Sequence, residues 1–101
     1  LAESRPETER ADSLRPVLRA RAGALLNQKK DAKAALAVLD QLRPIARADD
    51  ASVWFLTGEA RRTLADRAGA IEAYERALAI NPDATNSRWN LAQLLEAQRA
   101  F

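Results

Sequence analysis

Apolar residues recur at spacings of three and four along most of the chain, which is the period of an α-helix with one buried face. Between residues 13 and 30 they fall at Leu14, Val17, Leu18, Ala22, Leu25 and Leu26, a single stripe. Ser13 stands where an N-cap belongs, Pro16 would occupy the first turn, where its missing N–H costs least, and Lys29 and Lys30 suit the last turn. A second stripe, Ala35, Leu36, Leu39 and Leu42, follows the N-cap candidate Asp31 and meets a stop or kink at Pro44. Residues 45–50 return the chain, and Asp49 or Asp50 caps a helix over residues 51–65. Asp66 caps its partner, which runs to Ile80 and stops at Asn81-Pro82. Asp83 then caps a last helix over residues 84–99, with Leu91, Leu94 and Leu95 as its apolar side. Residues 1–12 are polar and read either as a frayed linker or, the favoured reading, as a short helix that tightens toward its C-terminal end, with Ser4 as N-cap and Pro6 in the first turn.

Composition agrees with helices throughout. The 101 residues make one domain, and the apolar 48% is mostly Ala and Leu, with no runs of the β-branched residues that strands favour. The predicted class is all-α. Sixteen basic residues against 14 acidic ones are interspersed rather than massed on one face, which places nucleic acid well behind protein as a partner. The absence of Cys and His removes thiol nucleophiles, imidazole acid–base chemistry and the usual zinc sites. Three scattered glycines make no phosphate-binding loop, and no serine has a histidine to activate it. Neither an enzyme nor a cofactor is therefore expected. No apolar run approaches the roughly 20 residues a membrane span needs, and no signal-peptide pattern is present. The expectation is a soluble protein without membrane insertion, cytoplasmic or periplasmic. Its start at Leu1 and its lack of Met suggest a piece of something longer.

Short helices joined by tight turns call for a self-comparison. Leu91-Ala92-x-x-Leu95 echoes Thr57-Gly58-x-x-Arg61 at an interval of about 34 residues. Upstream, Ala22-Gly23-x-x-Leu26 with Ala35-x-x-x-Leu39 echoes Gly58 with Ala70-x-x-x-Tyr74, offset by one more residue that fits in the loop around Pro44.

In residues 51–84, Trp54, Gly58, Ala70, Tyr74 and Pro82 stand in the order and spacing of the tetratricopeptide pattern, W-x2-L-G-x2-Y, A-x3-F, P. Ala77 fills a further small position, while Thr57 replaces the Leu and Arg61 the Tyr. This stretch resembles a tetratricopeptide repeat. The resemblance divides the chain into an N-terminal segment (1–12), a divergent repeat (13–50), a well-formed repeat (51–84) and a half repeat or capping helix (85–101). It implies antiparallel helix pairs stacked as a short right-handed superhelix of about five to six helices, with Trp54, Tyr74 and Leu78 in the core and close helix approach at Gly58, Ala70 and Ala77.

The same resemblance implies a concave surface lined by the first helix of each repeat, where a peptide or helix of a partner protein would bind. Phe55 and Trp89 lie on that side as aromatic anchors, the plain alternative being that each covers a neighbouring helix. Arg21, Glu59, Arg62, Asn86, Asn90 and Gln93 would line the same side, with an ordinary solvated face as the alternative. Asn side chains can hold an extended backbone through paired donor and acceptor bonds. Some members of the family grip C-terminal carboxylates with a Lys, Asn, Asn, Lys, Arg set; here those positions are Ala20, Ala24, Leu56, Asn86 and Asn90, which rules that clamp out.

Two further readings stay open at this level. The Ala- and Arg-rich composition also suits a scaffold or oligomerisation domain of a larger bacterial-style enzyme or assembly factor. The final helix, lacking the second helix that would cover it, could also join two copies through Leu91, Leu94 and Leu95.

Overall fold

The computed structural model describes residues 7–28 and 31–99, as five α-helices and one 3-10 turn. Helix α1 spans Glu7–Asn27, α2 Ala32–Leu42, α3 Ala51–Thr63, α4 Arg67–Ile80 and α5 Thr85–Arg99. The 3-10 turn Arg43–Ile45 follows α2 directly, with Pro44 in its first turn. Each helix packs chiefly on its neighbours in the chain, and α1 also touches α3. The result is an all-α stack of helix pairs.

Aspartates set three of the starts. The Asp31, Asp50 and Asp66 side chains accept backbone N–H bonds from Ala34, Ser52 and Gly69, satisfying donors that the first turn leaves open. The turn from α3 to α4 is unusually tight. The Ala65 N–H donates to the Arg62 carbonyl and the Asp66 N–H to the Arg61 carbonyl, the paired bonds of a Schellman closure. Ala65 accordingly sits at φ 66°, a left-handed conformation that strains an L-residue. Asp66 thus ends one helix and begins the next.

Three local expectations are corrected. Helix α1 runs unbroken from Glu7 through Ser13, so Ser13 is an interior residue rather than an N-cap, and Pro16 lies mid-helix on the exposed side. The segment expected as a separate short helix and the helix expected from Ser13 are one element from Glu7 onward; residues 1–6 lie outside the described residues, as do Lys29 and Lys30. At the other end, α5 begins at Thr85, one position beyond the reach expected of Asp83. The preceding turn is held instead by Asn81, whose side-chain oxygen accepts the Asp83 N–H.

The core has two parts that share α3. The larger joins Leu18 and Ala22 of α1, Val38, Leu39 and Leu42 of α2, and Val53 and Ala60 of α3. The smaller joins Ala70 and Tyr74 of α4 to Leu94 of α5, with Phe55 and Leu91 packed against it. Leu14 and Val17, expected in the α1 stripe, are 47% and 52% exposed, because α2 reaches only the C-terminal half of the longer helix. Polar contacts bind the first helix pair to the second. Arg15 Nε donates to the Ile45 carbonyl, and Arg19 pairs with Asp50 at the start of α3. Burial works against the Asp50 charge, but bonds from Ser52 and Arg19 outweigh it and hold the carboxyl below its ordinary range.

Trp54 is also corrected. It is half-buried and belongs to neither core cluster. Its ring instead lies under two guanidinium groups, Arg76 at 4.8 Å and Arg43 at 5.6 Å, so cation–π contacts join the 3-10 turn, α3 and α4. Leu78 is likewise only half-buried, whereas Tyr74 is fully buried as expected.

Candidate functional site

The candidate site is organised by the contact of α3 with α4. Gly58 leaves the α3 surface bare, and the Tyr74 ring occupies the space: a Cβ at residue 58 would stand 2.7 Å from Tyr74 Cε1. With its ring edge packed on Gly58, Tyr74 carries its hydroxyl to the next residue along. The hydroxyl donates to Glu59 Oε2 at 3.1 Å. Asn90 Nδ2 of α5 donates to the same oxygen at 2.6 Å, and Arg62 donates to Glu59 Oε1 at 3.0 Å. One carboxylate thereby ties three helices together. Burial, followed by the nearby Glu59 charge, pushes the Tyr74 phenol well above its ordinary range. For Arg62, burial opposes the charge, but the bond to Glu59 and its charge prevail and raise the pKa.

Phe55 lies beside this network, its ring centroid 6.1 Å from that of Tyr74. It forms a wall shared by two cavities. One, of about 300 Å³, opens between the starts of α3 and α5 and is lined by Ser52, Phe55, Asn81, Thr85, Asn86 and Ser87, among others. The other, of about 220 Å³, lies between α1 and α3 and is lined by Leu26, Asn27, Phe55, Leu56, Glu59 and Thr63. Three first helices thus contribute to one face, with Phe55 at its middle.

The residues singled out from sequence divide accordingly. Phe55, Glu59, Arg62 and Asn90 are brought together, and Asn86 joins Phe55 on the larger cavity. The Asn90 amide nitrogen is engaged within the network, bonded to Glu59 and 3.5 Å from the Tyr74 hydroxyl. Trp89 is 64% exposed and lines neither of these cavities; Gln93 is exposed on α5. Arg21 is exposed on α1, apart from the cluster. Sequence reasoning missed the Tyr74 hydroxyl by reading the residue as core alone. Its signal was available: Tyr stands where the repeat pattern has Phe, and a buried phenol requires a partner.

The two departures from the repeat pattern are also explained. Thr57 is fully buried, and its hydroxyl donates to the Val53 carbonyl at 2.8 Å, so only apolar atoms face the core. Arg61 donates to the Gly69 carbonyl at 3.0 Å and reaches Glu72 at 3.4 Å, joining α3 to α4 by polar bonds where the pattern has an aromatic ring. Among the described residues no group of acidic side chains is arranged to hold a metal ion, and no helix is long and apolar enough to cross a membrane.

Residues 51–84 match the family model described as Tetratricopeptide repeat. Neither the curated proteins nor the solved structures contain a match to the chain. The matched segment is α3, α4 and their flanking turns, the part in which Tyr74 packs on Gly58 and Ala70 and Ala77 are buried. The similarity to a tetratricopeptide repeat thus covers the α3–α4 pair, about a third of the chain.

Proposed function

We propose that this chain is a non-catalytic protein-interaction module that takes a peptide segment of a partner along the face built by α1, α3 and α5. The observation that carries the reading is the position of Phe55 between two adjoining cavities, each partly apolar and edged by side-chain amides and hydroxyls. An apolar wall with polar groups on either side suits an extended segment that inserts a side chain into each cavity and bonds its backbone at the edges. The match of residues 51–84 to a repeat whose arrays form extended concave binding surfaces supports the same reading. Glu59 and Asn90 serve it by fixing α5 at the correct angle to α3, and Asn86 is the exposed amide that meets the ligand.

The test is a display selection of random extended peptides against the chain, followed by affinity measurements on variants. Asn86→Arg, which fills the larger cavity, should weaken the selected peptides at least about tenfold, a loss of about 1.4 kcal/mol. Arg76→Glu, on the side that carries Trp54, should leave them unchanged. Peptides that respond to Arg76→Glu but not to Asn86→Arg would show that a different surface binds.

A further inference from the structure

Helix α5 has two distinct sides. Ser87 and Leu94 are buried, and Asn90 and Leu91 are half-buried toward the rest of the stack. On the opposite side Arg88, Trp89, Ala92, Leu95 and Glu96 are all exposed, Trp89 at 64% and Leu95 at 41%. Their spacing of three and four residues makes them one stripe along the helix. Two large apolar side chains flanking a small one on an open stripe mark an interaction surface.

The internal repeat indicates the kind of object that covers it. The interval of about 34 residues aligns Ala92 with Gly58, and in the middle repeat the surface around Gly58 is covered by α4, with Tyr74 in contact. The open stripe is therefore a seat for a helix. Its sequence then indicates which helix. The stripe is arranged symmetrically about Ala92: Trp89 and Leu95 lie three residues to either side, and Arg88 and Glu96 four. When two identical helices cross antiparallel at Ala92, a residue before the crossing lies level with the residue the same distance beyond it on the other helix. Trp89 then meets Leu95 of the second copy, and Arg88 meets Glu96 of the second copy, at both ends of the contact.

We propose that this stripe is the interface of a two-fold homodimer in which α5 packs antiparallel on α5 of a second copy, with Ala92 at the crossing. The contact is isologous, so every favourable pair occurs twice. A parallel arrangement would set Arg88 beside Arg88 and Glu96 beside Glu96, and like charges oppose it. Arg88 already donates to the Pro82 carbonyl at 2.7 Å, and a guanidinium with five N–H groups can keep that bond while pairing with a carboxylate. Ala92, with one methyl group, lets the two backbones approach closely. One helix pair is smaller than a standard protein interface, so the association is a weak, reversible one. It does not depend on the groove reading, because none of Arg88, Trp89, Ala92, Leu95 and Glu96 lines either cavity.

The proposal is tested by sedimentation of the whole 101-residue chain at concentrations up to about 1 mM, a range that populates weak complexes. A monomer–dimer equilibrium is expected. Arg88→Glu and Glu96→Arg should each raise the dissociation constant at least about tenfold, because each places like charges opposite one another. An equimolar mixture of the two variants should recover the dimer, since each reversed side chain then meets its opposite in the other chain. Circular dichroism of each variant separates lost association from lost folding. The proposal is overturned by a chain that stays monomeric over the whole range, by assembly beyond a dimer, by single reversals that associate like the parent, or by a mixture that fails to recover.

Discussion

Tyr74 occupies the space that any side chain at residue 58 would need, with three of its ring atoms within 2.9 Å of where a Cβ would be. This contact holds α3 against α4 and delivers the phenol to Glu59. Gly58→Ala should therefore destabilise the chain by about 1–3 kcal/mol through overpacking, even though Ala is the better helix former. Gly23 provides the control. It aligns with Gly58 in the internal repeat, yet Leu39 stands opposite in place of an aromatic residue, and nothing lies within 4 Å of an added Cβ. Gly23→Ala should stabilise by about 0.5–1 kcal/mol. Urea titrations of the two variants check the opposite signs, and an equal response would remove Tyr74 as the cause.

A second prediction concerns the turn that closes α3. Ala65 holds a left-handed conformation at φ 66° in a position where helices most often end on Gly. Ala65→Gly should raise stability by up to about 1 kcal/mol, the relief of strain at an L-residue being partly offset by the greater freedom of Gly in the unfolded chain. Thermal unfolding reads the change directly. A lower melting temperature would contradict the turn geometry.

The third prediction uses the fact that Tyr74 is the sole tyrosine, so phenolate absorbance reports it alone. Burial and the neighbouring Glu59 charge raise its pKa in the folded chain above the ordinary value of 10.0. The sign follows from linkage: the unfolded chain releases the proton first, so the stabilisation is complete below about pH 10 and is lost as pH rises toward the folded-state value. Tyr74→Phe should flatten this alkaline loss. Ordinary titration near pH 10 in the native chain would refute the burial of the hydroxyl.

Glu59 and Asn90 supply the fourth. Their 2.6 Å bond joins the matched repeat to α5. Glu59→Ala should cost about 1.5–3 kcal/mol, as expected for hydrogen bonds to a partly buried charge, and a double-mutant cycle with Asn90→Ala should give a coupling of about 0.5–3 kcal/mol. A coupling near zero would mean that the bond adds nothing to the seating of α5.

Much of this fold can be read from local chemistry. Asp31, Asp50 and Asp66 cap helices because the need is local: a side-chain oxygen near free N–H groups. The close approach at Gly58 was legible because the family pattern encodes it. Pro16 misled because the rule for prolines favours a first turn, whereas α1 accommodates it mid-helix at an exposed position while Leu18 and Ala22 anchor the helix beyond it. Trp54 misled because no periodicity reveals two arginines, 33 positions apart in the chain, closing over one ring. The candidate site was half legible. Helical period placed Phe55, Glu59, Arg62 and Asn86 on one face, but not that Asn90 turns inward to Glu59, which depends on how far α5 tilts toward α3. Trp89 aligns with Phe55 in the repeat yet is exposed, whereas Phe55 packs beside Tyr74.

The central claim is that a partner peptide lies across Phe55 and into the two cavities beside it. Its most direct test is a backbone amide spectrum recorded while a selected peptide is titrated into the chain. The account predicts that shifts concentrate at Ser52, Phe55, Thr85 and Asn86, extend to Asn27 and Thr63 on the second cavity, and spare Arg43, Trp54 and Arg76. Shifts centred on Trp54 and its two arginines, with the Phe55 face unmoved, would contradict it.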